Sequence, residues 1–184
     1  MTWPFLYYAG DRLSGAELMA ARLDGDVVEI GDAFMPADAV ETRELRAGSL
    51  RPMAGSHLAI THESAAWVHG VLNEPPTRHS LQRCVAARRH RLLDGGVRYR
   101  DLCLPERDGI RIAGVVVTTP VRTLVDVLRD RVLRDDDDPA VVEALIRWRP
   151  QLVPAAIGWL DDAGPVPFKR ASLSYLRRSL VTTR

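Results

Sequence analysis

The sequence is poor in cysteine, in lysine and in long apolar runs, and each shortage narrows what it can be. Cys84 and Cys103 are its two cysteines. They are too few for a disulfide framework and lack C-x-x-C spacing, so reduced thiols in a core are expected rather than a bridge or a metal site. No apolar run approaches a membrane span, and the start, MTWPFLYYAGD, has no basic stretch followed by a cleavable apolar segment. The expectation is a cytoplasmic chain with no membrane partner. Phosphate-cradling glycine loops of the G-x-x-x-x-G-K-[ST] and G-x-G-x-x-G kinds are missing, as is the G-x-S-x-G elbow of a serine hydrolase. His62-Glu63 does not begin an H-E-x-x-H zinc helix, because the next histidine is His69 and the two cannot present adjacent ligands. The run Asp135 to Asp138 reads as a solvated helix start, with Asp138 before Pro139 as its cap. These absences predict a protein that is not an enzyme, with no catalytic residue, cofactor or metal.

What is present is enough apolar residue for a sizeable core, 46% of 184 residues, and a marked segregation of charge. The net charge is only +1. Yet between Asp24 and Glu44 seven acids face Arg43 alone, and between Arg78 and Arg100 seven arginines face Asp94 alone. Nearly all positive charge is arginine, Lys169 being the one lysine. Such asymmetry implies a charged partner, or pairing of the two segments with each other.

Periodicity and capping signals divide the chain as follows. Ser14 to Glu17 is a capping box opening a helix to about Leu23, after which Val27 to Ile30 and Ala33 to Met35 form a hairpin about Gly31-Asp32. A polar, partly helical stretch up to Met53 links this module to the main body, with a boundary near Gly55. A helix then starts at Thr61 and stops before Asn73-Glu74-Pro75-Pro76. Ser80 to Ala87 and Val97 to Leu104 read as a hairpin closed by Asp94-Gly95-Gly96, with Arg98 and Arg100 on one face of its second strand. Ile110 to Ile112 and Val115 to Thr118 make a second hairpin. Helices follow over 121–132, 139–148, 154–162 and 169–181, the last carrying Arg170, Arg177 and Arg178 opposite a leucine stripe.

Two of these stretches stand out, and one core is expected to hold both. Ile60 to Gly70 (ITHESAAWVHG) has Thr61 as N-cap, with His62 bonding at the helix start and a protonated His69 suiting the negative C-terminal end. Val115 to Val127 (VVVTTPVRTLVDV) is a strand feeding a helix, with Thr119 as cap, Pro120 at the first helical position and Arg122–Asp126 as an i,i+4 pair.

Taken together, His62, Ser64, Ala65, Ala66, His69 and Gly70, followed by an arginine-rich segment and then Thr118, Thr119, Pro120, Arg122, Thr123, Leu124 and Asp126, resemble the AbiEi-type antitoxin family of bacterial type IV toxin–antitoxin systems. The resemblance covers roughly residues 56 to 130 and fits a short form without the C-terminal nuclease-like domain of longer relatives. It implies a winged-helix-like start, repression of an operon, and a nucleotidyltransferase toxin acting in the same system. The predicted fold is α+β: a small degenerate winged-helix-like module and linker over 1–55, then an antitoxin-like domain over 56–184 with a mostly antiparallel sheet packed with helices and a helical C-terminal part.

The predicted function is an antitoxin-like transcriptional regulator binding promoter DNA through Arg88, Arg89, Arg91, Arg98 and Arg100, since guanidinium groups neutralise phosphates and release counterions. The hairpin of the N-terminal module carries Glu29 and Asp32 where a DNA-touching wing would carry bases. The alternative is therefore a non-catalytic interaction or orphan scaffold protein that has lost DNA binding.

Overall fold

Ser14 caps the first helix as its spacing predicts. Its hydroxyl accepts from Glu17 N while the Glu17 carboxylate accepts from Ser14 N at 2.7 Å, closing the capping box around α1 (Gly15–Asp24). The computed structural model describes residues 5–86, 96–134 and 139–182. Gly25, left-handed at φ 84°, ends α1, and the chain turns into β1 (Val27–Ile30) and β2 (Ala33–Pro36), paired antiparallel. Tyr7 adds a bridge to Phe34 on the outer side of β2.

Gly31, in the turn, is required twice over. Its φ is +53°, and a Cβ there would collide with the Ser49 hydroxyl. Gly31→Ala should therefore cost about 1–3 kcal/mol of stability in urea melts; a loss of only a few tenths would show that the turn relaxes freely.

Helices α2 (Arg43–Ser49) and α3 (Arg51–Ala54) lead into the main sheet. Pro52 sits in the first turn of α3, where its missing N–H costs nothing. The sheet is built from β3 (Leu58–Ile60), β4 (His79–Arg83), β5 (Val97–Arg100), β6 (Gly109–Ile112) and β7 (Val115–Thr118), in the order β5-β4-β3-β7-β6. Between β3 and β4 lies α4 (His62–Val68), and after β7 comes α5 (Pro120–Arg134). The chain finishes in α6 (Ala140–Trp148), α7 (Leu152–Asp162) and α8 (Lys169–Thr182).

The α+β class is as expected, but the strand pairing is not. β3–β4 and β6–β7 are antiparallel, whereas β3–β7 and β4–β5 are parallel, so the sheet is mixed rather than mostly antiparallel. In particular β4 and β5 do not form a hairpin: His79 lies opposite Val97 and Gln82 opposite Arg100. A parallel pair needs a connection of about a dozen residues or more, and in the sequence residues 84–96 separate the two strands.

The core is also divided. One apolar cluster joins Ile30, Ala33 and Met35 of the N-terminal hairpin to Leu45, Leu50, Ile60, Trp67, Leu81, Val115 and Val117, so the hairpin and the main sheet bury their faces together. A second gathers Leu124, Val125 and Leu128 of α5 with Val142, Leu145, Val153, Ala156, Leu160 and Leu176 of α6 to α8. Helix α4 stands between them, with Ala65, Trp67 and Val68 in the first and Ala66 in the second. Each cluster still takes residues from both standout stretches, Ile60 and Trp67 with Val115 and Val117 in the first and Ala66 with Leu124 and Val125 in the second, so the two stretches share a core as expected. Small residues at 65 and 66, fully buried, let α4 lie close to partners on both sides. Among the described residues no helix is long and apolar enough to cross a membrane.

Candidate nucleic-acid interface

Because β5 alternates, Arg98 and Arg100 point the same way, and that way is toward α5. Arg100 Nη2 donates to Asp130 Oδ1 at 2.7 Å, and Arg98 Nη1 lies 3.7 Å from Asp130 Oδ2. Asp130 is mostly covered, with 12% of its side chain exposed, against 32% for Arg98 and 24% for Arg100. The two arginines thus form a half-buried basic strip at the β5 edge, already sharing one carboxylate. Arg88, Arg89 and Arg91 lie outside the described residues, so of the five predicted phosphate contacts the structure brings together two.

Arg83, the last residue of β4, organises the exit toward this segment. Its Nε donates to Asp101 Oδ1 at 3.0 Å, and its Nη1 donates to the carbonyls of Val85 and Ala86 at 2.6 and 2.7 Å. The side chain is only 11% exposed. It acts as a clamp between the ends of β4 and β5 rather than as a phosphate ligand.

Behind the strip lies a buried polar network. Thr119 Oγ1 accepts from Arg122 N at 3.2 Å, which starts α5 with Pro120 at its first position, as the sequence predicts. Arg122 Nε donates to Asp126 at 2.8 Å, the expected i,i+4 pair, and Nη1 donates to Asp108 at 2.8 Å. Trp159 Nε1 of α7 donates to the other Asp108 oxygen at 2.8 Å, and the Arg122 guanidinium lies 5.0 Å from the Trp159 ring centroid. Burial alone would disfavour the Arg122 cation, but Asp126 and Asp108 more than offset that and raise its pKa. Arg129 adds a contact to Asp126 at 3.6 Å and donates to the Pro167 carbonyl at 2.9 Å.

The histidines of the first standout stretch are structural donors in this neighbourhood. His62 takes the left-handed conformation at φ 53° and is buried. The Thr61 hydroxyl donates to the Ser80 carbonyl, so it accepts the Nδ1 proton of His62 across 2.9 Å. His62 does bond at the helix start, while Thr61, although in the cap position, makes no side-chain cap bond to α4. Burial, and then Arg100, Arg122, Arg98 and Arg129, push the His62 pKa well below its ordinary value, leaving a neutral ring.

His69 corrects a second expectation. Its Nε2 donates to the Thr118 carbonyl at 2.8 Å and its ring stacks on Trp148, 6.2 Å between centroids. Burial lowers its pKa, so it is a neutral tie between α4 and β7 rather than a protonated group on the helix dipole. Ser64 accepts from Ser80 N at 3.0 Å and meets His79 Nδ1 at 3.1 Å, fastening α4 to β4. Gly70, at φ 83°, lets the chain turn away. The motif residues are therefore those that hold α4 against the sheet. The Asp138 cap reading lies outside the described residues.

Sequence reasoning missed three residues with clear roles. Asp108 and Asp130 sit far in sequence from the arginines they bind, and Arg46 of α2 donates from Nη1 to the carbonyls of Trp67 and Leu72 at 2.7 Å each. Arg46 also lies 5.3 Å from the Trp67 ring centroid, so it satisfies the C-terminal end of α4 from the N-terminal side of the molecule. Long-range acid–base pairs leave no local spacing to read.

Comparison with known proteins matches part of the chain to a family. No curated protein matches the chain. The crystal structure of the RV2827C protein from Mycobacterium tuberculosis aligns over 89% of this chain and 70% of its own, at 20% identity and a TM-score of 0.34, an overlap too low to establish a common fold. Residues 57–137, which hold both standout stretches and the whole arginine-rich segment, match the model of the AbiEi antitoxin C-terminal domain family.

Proposed function

We propose that the protein is an antitoxin-like transcriptional regulator that contacts promoter DNA through the arginine-rich segment Arg88, Arg89, Arg91, Arg98 and Arg100, with the N-terminal helix and hairpin as a winged-helix-like accessory over residues 1–55. The observation that carries this reading is the position of that segment, seven arginines against one aspartate between residues 78 and 100, inside the matched antitoxin domain. A nucleotidyltransferase-type toxin acting in the same system is the partner the family implies. The chemistry asked of the segment is charge neutralisation at phosphates, which positions a protein on DNA without reading bases. The role proposed is regulatory, with no catalytic group.

A second reading, an interaction scaffold that no longer binds DNA, draws on the sharing of Asp130 by Arg98 and Arg100 and on the salt link of Arg22 to Glu29 at 3.3 Å on the hairpin. A wing bearing Glu29 is a poor phosphate surface.

The test is fluorescence anisotropy with the gene's own upstream DNA and a scrambled duplex across a salt series. Tight, salt-sensitive binding that prefers the upstream DNA supports the regulator; no binding at low salt supports the scaffold. Replacing Arg88, Arg89 and Arg91 together by Ala should weaken binding and flatten the dependence of log K on log salt by about 0.9 for each phosphate no longer neutralised. An unchanged slope would remove those three residues from the interface.

A further inference from the structure

The two cysteines lie just past the ends of β4 and β5. Leu104 N donates to the Arg83 carbonyl at 2.7 Å, and Cys103 Sγ lies 3.5 Å from the Val85 carbonyl oxygen. Position 103 is thereby held beside position 84, because the residues on both sides of Cys84 touch the 103–104 pair. Cys84 itself stays anchored on its other edge, its N–H donating to His57 O at 2.9 Å. Neighbouring extended segments run about 4.7–4.9 Å apart, inside the roughly 4.4–6.8 Å that disulfide α-carbons span. Both thiols are unbridged, Cys103 exposed and Cys84 half-buried.

We propose that Cys84 and Cys103 are a modification site, forming a reversible intramolecular disulfide on exposure to a peroxide. The site goes beyond the regulator reading and does not depend on it. Cys103, the more accessible, reacts first: its thiol ionises, the thiolate attacks one peroxide oxygen, the O–O bond breaks, and the departing hydroxide takes up the thiol's proton, leaving sulfenic acid and one water. The Cys84 thiolate then attacks the Cys103 sulfur, the S–O bond breaks, and the second water leaves as the S–S bond forms. Two thiols lose two electrons, and the peroxide is reduced to two waters. A small thiol reverses the bond by exchange.

Burial raises the Cys84 pKa, with Arg111 working against that and the nearby Cys103 adding to it. Cys84 is thus the slower nucleophile, suited to resolving an oxidised neighbour rather than to meeting the oxidant. Oxidation joins the ends of β4 and β5 covalently, and all five proposed phosphate-contact arginines lie between the two cysteines in the sequence.

The experiment treats the full-length protein with hydrogen peroxide, quenches with iodoacetamide and measures intact mass and non-reduced peptides. Expected is a loss of two hydrogen atoms without alkylation, a Cys84–Cys103 linked peptide, and recovery of both thiols with dithiothreitol. Formation should be about tenfold or more faster in the native protein than in urea, since the fold supplies the proximity. Cys84→Ser should leave Cys103 to accumulate as sulfenic acid, trapped by dimedone, and Cys103→Ser should leave Cys84 alkylatable. Two alkylated thiols after peroxide, or Cys103 sulfinic acid beside an intact Cys84 in the unmutated chain, would overturn the proposal. Anisotropy on the reduced and oxidised forms then separates the two readings. A disulfide that forms in a protein that binds no DNA keeps the site and removes the DNA-binding role.

Discussion

Arg122→Met is expected to cost about 3–5 kcal/mol of folding stability, the size seen when one partner of a buried ion pair is removed. The reason is what it leaves behind. Asp108 and Asp126 have 3% and 4% of their side chains exposed and share the Arg122 guanidinium, so the variant leaves two buried carboxylates with only Trp159 on Asp108 and the more distant Arg129 beside Asp126. Methionine fills much of the volume, so the loss reports on charge rather than on a cavity. Arg122→Lys should recover only part of it, because one ammonium cannot reproduce the two directed Nε and Nη1 bonds. The measurement is urea denaturation followed by far-ultraviolet circular dichroism. A loss below about 1 kcal/mol would place the network with ordinary surface pairs. Since Trp159 of α7 also bonds Asp108, the variant should loosen the C-terminal helices from the matched domain before the sheet itself melts.

The same residue shows how far the sequence can be read. Thr119, Pro120 and the Arg122–Asp126 pair were legible because caps and i,i+4 pairs are local rules with fixed spacing. Asp108 was not, since its tie to Arg122 depends on η1 (Glu106–Asp108) arriving beside α5. The boundaries of β1, β2 and of α1, α5, α6, α7 and α8 followed from period and punctuation to within about two residues, whereas α4 ends at Val68, short of the Asn73 stop, and α3 runs through Pro52. Strand partners did not: alternation says that Val97 to Arg100 is a strand, and it says nothing of which neighbour or direction it takes. Asp94-Gly95-Gly96 is a fair turn signal, but a segment as long as 84–96 serves a crossover equally well, and the parallel pairing with β4 prevailed. For the interface, shared facing of Arg98 and Arg100 was predictable from the pleat, whereas their common partner Asp130 was not. The histidines misled through charge. A helix end predicts a protonated His69 only where water can reach it, and burial against Trp148 and Thr118 decides otherwise.

Those buried histidines should make the protein sensitive to mild acid. His62, His69 and His79 all have pKa values lowered from an ordinary 6.5, each chiefly by burial. His62 faces Arg98, Arg100, Arg122 and Arg129, and His69 faces Arg43 and Arg149, so charge opposes protonation at both; only His79, near Asp32, has an opposing acid. The sign follows from linkage. Below the unfolded value of 6.5 the unfolded chain takes up protons that the folded chain refuses, so stability is complete above that pH and falls as pH drops through it toward each folded value. Every tenfold difference in proton affinity between the two states removes about 1.4 kcal/mol, and three sites act together. Asp32 works the other way, its carboxyl raised by burial, but its gain comes at lower pH, where carboxylates titrate. The urea midpoint should therefore fall between about pH 7.5 and pH 5.5, and His62→Gln, which cannot titrate, should flatten that fall even though it lowers the midpoint at neutral pH. A midpoint that holds steady over this range would mean that the three rings bind protons as readily folded as unfolded, and that water reaches them in the native state.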